Sequence, residues 1–157
     1  MSVLHIPKEV YDSLRAHGED TYPHECCGAL LGEYVAGEWS VTAAVRAGNT
    51  RTDSAHNRYM IDPAELVCIQ RDAMREGLDV AGFYHSHPDH PAQWSPTDFA
   101  EAHWIGCTYV ITEVAKGRAE VTNAFLLAGT TEEDKRFELQ TIEVIQASAA
   151  TSAESHN

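Results

Sequence analysis

The residues with the clearest chemical potential lie in the segment 85–88, which reads His-Ser-His-Pro, and at Asp98 shortly after it. The apolar run at 80–84 before the histidines is typical of a strand. Because strand side chains alternate between faces, His85 and His87 point the same way, with Cα atoms about 6.6 Å apart. Two imidazoles at that spacing can bind one metal ion, and zinc is the natural choice for histidine and carboxylate ligands.

Asp98 can supply a third ligand from the start of the next helix. Each residue also has an ordinary structural explanation, since Ser95 is a good N-cap, Asp98 favours the helix dipole and paired histidines are often surface residues. Together the two histidines and the aspartate supply three ligands and leave one position for water. A zinc ion there would lower the pKa of its water to about 7 and polarise a carbonyl. The cluster therefore predicts a hydrolytic zinc enzyme.

Hydrolysis by water also needs a base that accepts the proton. Glu25, in the segment 23–28 (Pro-His-Glu-Cys-Cys-Gly) just before the first apolar strand, is the best candidate. A glutamate at a strand edge can equally be structural. The residues alone do not distinguish Glu25 from Glu33 or Glu65.

The elements that must position these residues alternate between helix and strand patterns. We predict helices at 7–18, at 63–76 and from Ser95 to about 104, strands at 29–35, 39–46, 80–87, 107–115, 119–128 and 137–145, and loops at 47–58 and 88–94. The clearest helix has Asp62 as N-cap, Pro63 at its first position, Glu65 to complete a capping box and Gly77 at its end. We predict that its apolar stripe contains Leu66, Ile69, Ala73 and Met74. This order of elements favours an α/β fold with a three-layer α/β/α arrangement.

Composition sets further limits on function. The chain has 157 residues and a formal net charge of −13, which argues against nucleic-acid binding through phosphates. No apolar run approaches the ~18 residues that cross a bilayer, and the N-terminus lacks the apolar region of a signal peptide. Four cysteines without a CxxC pair indicate reduced, mostly buried thiols. We therefore expect a cytoplasmic protein, with one domain at 1–145 and a frayed tail at 146–157.

The spacing of the candidate site residues resembles the motif of the JAMM (MPN-plus) metalloprotease family. That motif reads His85-x-His87-Pro88, six residues, Ser95, two residues and Asp98. The segment 25–32 (Glu-Cys-Cys-Gly-Ala-Leu-Leu-Gly) resembles the family's general-base segment. The segment 58–63 (Arg-Tyr-Met-Ile-Asp-Pro) resembles the lead into its second helix. The resemblance covers roughly residues 5–130.

This resemblance implies a cytidine-deaminase-like α/β/α fold with a mixed central sheet. It implies that His85, His87 and Asp98 bind one zinc ion per chain, with water as the fourth ligand. Glu25 would be the general base and then the acid that protonates the leaving amine. Ser95 would stabilise the oxyanion of the tetrahedral intermediate.

The resemblance also implies a substrate class, because family members hydrolyse amide or isopeptide bonds after the Gly-Gly tail of ubiquitin-like proteins. Between Asp98 and the strand at 107 there is room for a short helix only, so the long insertion of eukaryotic deubiquitinases is absent. The chain looks more like small bacterial members that act on ubiquitin-like sulfur-carrier proteins and release an amino acid, such as cysteine, or a short extension. The alternatives are removal of a modifier from lysine and a non-catalytic MPN scaffold, although scaffolds usually lack ligands. No sequence pattern indicates an oligomeric state.

Three other functional classes fit the residues less well. The segment 85–90 (HxHxDH) is also the first signature of metallo-β-lactamase-fold hydrolases, but only His103 and His156 remain downstream to complete two metal sites. A zinc deaminase needs a PCxxC pair, which is absent. A cysteine hydrolase based on Cys26 or Cys27 lacks a third residue to orient its base.

Overall fold

The structure, a computed structural model, describes residues 2–49 and 61–146. In chain order its elements are β1 (Val3–Pro7), α1 (Lys8–Thr21), β2 (Cys27–Val35), β3 (Glu38–Ala47), α2 (Pro63–Arg75), β4 (Asp79–Pro88), α3 (Pro96–Ala100), β5 (Thr108–Ala115), β6 (Arg118–Ala128) and β7 (Arg136–Ile145). None of the helices in these ranges has the length and apolar composition that a membrane-spanning helix needs.

The sheet closes on itself because the N-terminal strand β1 lies between β3 and β7. The strand order is β1-β3-β2-β4-β5-β6-β7, with β1 parallel to both of its neighbours and β4 parallel to β5. The other neighbouring pairs are antiparallel, so the predicted mixed sheet with helices is present. The three-layer α/β/α arrangement is not confirmed, since an open layered sheet has two free edges. The sequence does not predict β1 because Leu4 and Ile6 are only two alternating apolar positions.

Both faces of the sheet are covered, which explains the nearly continuous apolar runs of β2 and β4. On one face, α1 packs through Leu14 against a core that includes Leu30 and Tyr84. On the other face, α2 packs against a core that includes Leu31 and Phe83. Consecutive residues of one strand thus belong to different cores, as the two-residue period of a strand requires.

Helix α2 begins as predicted but differs in two details. The Asp62 side chain accepts a hydrogen bond from the Ala64 N–H at 2.8 Å. Glu65 does not complete the capping box, because its Oε1 accepts the Gly48 N–H at 3.2 Å and so ties the helix to the end of β3. The prediction that Met74 belongs to the apolar stripe is wrong, because Met74 is 77% exposed, whereas Ile69 is buried as predicted.

The helix predicted from Ser95 to about 104 is much shorter, because α3 ends at Ala100. The chain then turns, and the Trp104 N–H donates to the Tyr109 hydroxyl at 3.1 Å.

The predicted loop beyond Asn49, the segment 58–60 and the tail beyond Gln146 lie outside the described residues. All four cysteines are free and only Cys68 is exposed, which agrees with the predicted thiols.

His5 joins the closing strand to both of its neighbours. Its Nε2 lies 2.8 Å from Glu38 Oε1 on β3, and its Nδ1 lies 2.8 Å from Glu143 Oε1 on β7. The hydrogen bonds with Glu38 and Glu143 raise the pKa of His5 above its usual 6.5. A protonated His5 can donate to both carboxylates, so this contribution to barrel closure depends on pH.

We expect the stabilisation from His5 to be complete below pH 6.5, its ordinary pKa, and to disappear as the pH rises through the raised folded-state pKa. The pair is partly exposed, so the effect is small, on the order of 1–3 °C in Tm. Thermal unfolding of the wild type and of His5→Gln at pH 6 and pH 9 measures it. A difference in Tm between the two proteins that is as large at pH 9 as at pH 6 would contradict this assignment.

Candidate active site

The two predicted histidine ligands lie at the end of β4, which is hydrogen-bonded between β2 and β5. His85 pairs with Cys27 on β2 and with Ile111 on β5. Both His85 and His87 are buried, and their Nε2 atoms are only 3.2 Å apart. The strand alternation on which the prediction rested therefore places the two rings on one face, with their Nε2 atoms converging.

Asp98 reaches this pair from the first turn of α3. Its Oδ1 lies 3.2 Å from His85 Nε2, and its Oδ2 lies 3.1 Å from His87 Nε2. The helix start is fixed by a capping box, in which the Ser95 N–H donates to Asp98 Oδ2 at 2.9 Å and the Asp98 N–H donates to Ser95 Oγ at 3.0 Å. The capping interaction that explains Asp98 structurally also directs its carboxylate at the histidines.

These three side chains suit a metal cation. His87 Nδ1 lies 2.8 Å from the Pro91 carbonyl, which can only accept, so Nδ1 carries the proton. The Nε2 of a neutral His87 then presents a lone pair toward Asp98. Ligand atoms of His85, His87 and Asp98 all lie within 4.8 Å of one another. When both imidazoles present lone pairs, these atoms are all acceptors, and a proton or a metal cation between them relieves the repulsion. The residues therefore fit a metal ion.

Burial and mutual contacts shift the ionisation of the three side chains. Burial lowers the pKa of His85, against the opposing effect of Asp98. Burial also acts to lower the pKa of His87, but hydrogen bonds with Asp98 and Pro91 outweigh it and the pKa is raised. Burial acts to raise the pKa of Asp98, yet hydrogen bonds from the two histidines hold it well below its usual range. Asp98 is therefore an anion at neutral pH and a suitable metal ligand.

Glu25 lies beside the histidines although it is far from them in sequence. The Cys26 N–H donates to Ser86 Oγ at 2.9 Å, and the Ser86 N–H donates to the Cys26 carbonyl at 3.3 Å. These bonds extend the β2–β4 register by one step and place Glu25 opposite His87, on the same face. Glu33, by contrast, is exposed on β2, and Glu65 is bound to Gly48.

The Glu25 carboxylate is almost completely withdrawn from solvent, with 4% of the residue exposed. Burial raises the pKa of Glu25 to about 8, with His87 opposing the shift and Asp98 and Glu101 adding to it. Its Oε1 has no hydrogen-bond partner in the part of the chain that the structure describes. A buried carboxylate oxygen without a partner is costly, so the position needs a ligand or a reaction to explain it.

Sequence reasoning missed three residues that hold the site together. Ser86 joins the Glu25 segment to β4, and its position between the two histidines was the one feature of the sequence that could have identified it. Pro91 orients His87 from a loop, and no feature of the sequence indicates this role. Tyr22 donates to Asp89 Oδ2 at 2.6 Å, and Asp89 Oδ1 accepts the Lys116 N–H at 2.8 Å, so the segment before Glu25 is tied to the end of β4.

Other histidines and a tryptophan occur in the loops near the site segments. His24 and His90 are exposed, and His56 lies outside the described residues. Trp94 is 40% exposed, and its ring packs on Phe99 and Phe137, with centroids 5.4 and 5.5 Å away.

Comparison with known proteins places this geometry in a family. The family model Prok-JAB, prokaryotic homologues of the JAB domain, matches residues 7–143. A protein named desampylase from Haloferax volcanii is 35% identical over 114 residues, which are 70% of this chain and 80% of that protein. A probable TtuB-protein conjugate cleaving protease from Thermus thermophilus is 34% identical over 102 residues, which are 65% of each chain.

Two solved structures are similar to this chain in fold. A protein from Salinibacter ruber has a TM-score of 0.67 and 37% identity, with 93% of this chain and 91% of that chain covered. A protein from Desulfitobacterium hafniense has a TM-score of 0.78 at 23% identity, with 91% and 93% covered, and supports the fold alone. The resemblance noted in the sequence is thus confirmed. With a family model that spans most of its length and two named enzymes among its relatives, this chain belongs to the Prok-JAB family and is a JAMM-type hydrolase.

Proposed function

We propose that the chain is a zinc-dependent peptidase that cleaves the amide bond after the C-terminal Gly-Gly of a ubiquitin-like sulfur-carrier protein and releases an amino acid or a short extension. Residues 1–145 form the catalytic domain. The observation that carries this proposal is the buried Glu25 carboxylate on the same face as the His85, His87 and Asp98 group.

In this proposal His85, His87 and Asp98 hold one zinc ion. Zinc is favoured because two imidazole nitrogens and one carboxylate leave a fourth position open, as in hydrolytic zinc sites. When bound, zinc supplies a Lewis acid for the substrate carbonyl and makes water more acidic. The carbonyl of Pro91 keeps the His87 ring oriented, which raises its basicity as a ligand.

Glu25 is the proton carrier of the proposed reaction. As base it accepts a proton from the attacking water, and it then delivers that proton to the leaving amine. Burial raises the pKa of Glu25 to about 8, and a nearby cation would lower it again. A carboxyl group whose pKa lies near neutrality can perform both transfers.

Ser95 contacts the same cluster through Asp98. Its Oγ accepts the Asp98 N–H at 3.0 Å. A hydroxyl that accepts a hydrogen bond still has its own hydrogen to donate. We propose that Ser95 donates this hydrogen to the oxyanion that develops on the substrate carbonyl.

The substrate class is supported by the relatives and by the short connection between α3 and β5. The two relatives are a desampylase and a probable TtuB-protein conjugate cleaving protease, and the second name describes the cleavage of protein conjugates. Only the residues from Glu101 to Cys107 separate α3 from β5, so no long insertion is present there to grip a polyubiquitin chain. The conjugate named for the Thermus relative favours a second candidate, release of a ubiquitin-like modifier from a lysine side chain.

One assay separates the candidates. A ubiquitin-like carrier ending in Gly-Gly, extended by a short peptide, and the same carrier joined to a lysine side chain are incubated with the zinc-loaded chain. Intact mass spectrometry is expected to show cleavage after the second glycine, with release of the short peptide. This activity should be lost when zinc is chelated and should return when zinc is added. Replacing Gly-Gly by Ala-Ala is expected to slow cleavage at least tenfold, or about 1.4 kcal/mol in the barrier. Stoichiometric zinc binding without cleavage of either substrate would favour the scaffold alternative.

A further inference from the structure

The short helix α3 carries Asp98 but has little stability of its own. It contains five residues, Pro96–Ala100, which is far below the length at which isolated helices form. Its N-terminal end is fixed by Ser95. Something must also hold its C-terminal end, because Asp98 has to stay about 3 Å from two imidazole nitrogens.

That contact comes from Lys135, which lies between β6 and β7. The Lys135 amine donates to the Phe99 carbonyl at 3.0 Å and to the Ala102 carbonyl at 2.8 Å. It also lies 3.0 Å from Glu132 Oε1 and 4.9 Å from the centre of the Phe99 ring. Lysine side chains are rarely buried, yet only 6% of this one is exposed.

The turn that presents Lys135 is itself fixed by hydrogen bonds. The Asp134 carboxylate accepts the N–H groups of Thr130 at 2.9 Å and Thr131 at 2.6 Å. Phe137, two residues after Lys135, packs its ring against Phe99 with centroids 5.5 Å apart. The hydrogen bonds and the ring contact therefore fix the position of the Lys135 amine relative to the barrel.

We infer that Lys135 is a positioning residue for the metal site: by holding the Phe99 and Ala102 carbonyls it sets the distance of Asp98 from His85 and His87. The inference rests on the proposed function in that Asp98 is taken as a zinc ligand. Lys135 acts through α3 and touches none of the three ligand side chains in its hydrogen bonds or ion pair.

The test uses Lys135→Met, which keeps the length of the side chain and removes its donors. In the zinc-free protein, hydrogen exchange is expected to quicken for the amides of residues 97–102. Zinc affinity, measured by competition with a chromophoric chelator, is expected to fall about tenfold, as for other supports of metal ligands. Lys135→Arg, which can donate to both carbonyls, is expected to restore most of both losses, and Lys8→Met at the start of α1 serves as the matched control.

A second variant tests the inference in case Lys135→Met fails to fold. Glu132→Gln leaves the amine in place but removes its counter-charge, and it is expected to change both readouts in the same direction by less. Unchanged exchange at 97–102 together with wild-type zinc affinity in Lys135→Met would overturn the inference. A wild type that binds no zinc would instead overturn the proposed function, even if exchange in α3 still quickened, so the two failures are distinguishable.

Discussion

Glu25→Gln is expected to bind zinc like the wild type and to lose about 10²–10⁴-fold in kcat, because an amide cannot accept the proton of the attacking water. The side chain keeps its size, and Glu25 is not among the three grouped ligands, so zinc stoichiometry should not change. Cleavage of the Gly-Gly carrier fusion, with zinc content measured on the same sample, checks both parts.

Stability distinguishes a catalytic role of Glu25 from a structural one. Burial raises its folded-state pKa to about 8 from 4.5, so ionisation opposes folding increasingly as the pH rises between those values. Glutamine removes this penalty, so zinc-free Glu25→Gln should melt at or above the Tm of the zinc-free wild type at pH 8. Residues that lower stability in return for activity behave in this way.

The matched control is Glu33→Gln on β2, the strand that follows Glu25, where the glutamate is exposed. It is expected to retain wild-type kcat, zinc content and Tm. A Glu25→Gln enzyme with wild-type turnover would show that another group accepts the proton. A Glu25→Gln protein that has lost both zinc and stability would show that the carboxylate is structural.

The part of the site that sequence could predict is the part with local causes. The common direction of His85 and His87 follows from the two-residue period of a strand, and the position of Asp98 follows from the capping preference at Ser95. Glu25 required the family resemblance, because the residues alone left it equivalent to Glu33 and Glu65. Its approach to His87 depends on a pairing between β2 and β4 that no local pattern specifies.

The features that could not be predicted depend on contacts between distant parts of the chain. Closure of the barrel depends on His5 and four other residues of β1, which is too short to show a period. The support of α3 by Lys135 joins residues 33 and 36 positions apart, and Lys135 stands in an acidic run that reads as a solvated turn. A lysine in such a run carries no sequence signal for burial, because its partners are backbone carbonyls.

Gly82→Ala is expected to destabilise the protein strongly, because β4 and β5 approach too closely for a side chain at this position. A Cβ on Gly82 would lie 1.8 Å from the Thr108 carbonyl oxygen and 2.7 Å from its carbonyl carbon, and both atoms belong to the backbone of the partner strand. Backbone cannot rotate away as a side chain can, so the parallel ladder that continues to His85 must separate. We expect a loss of at least about 3 kcal/mol, which is a large fraction of the stability of an ordinary domain.

Gly48→Ala is the matched control for this prediction, since the nearest atom to its Cβ would be Glu65 Oε1 at 3.9 Å. It should leave stability within about 1 kcal/mol of the wild type, or raise it slightly through lower entropy of the unfolded chain. Urea unfolding, monitored by circular dichroism, measures the free energy of unfolding of both variants. In thermal unfolding, the Tm of Gly82→Ala should fall by ~6 °C or more. If Gly82→Ala unfolds at the same urea concentration as Gly48→Ala, the two strands do not approach as closely as described, and β4 positions the histidines in some other way.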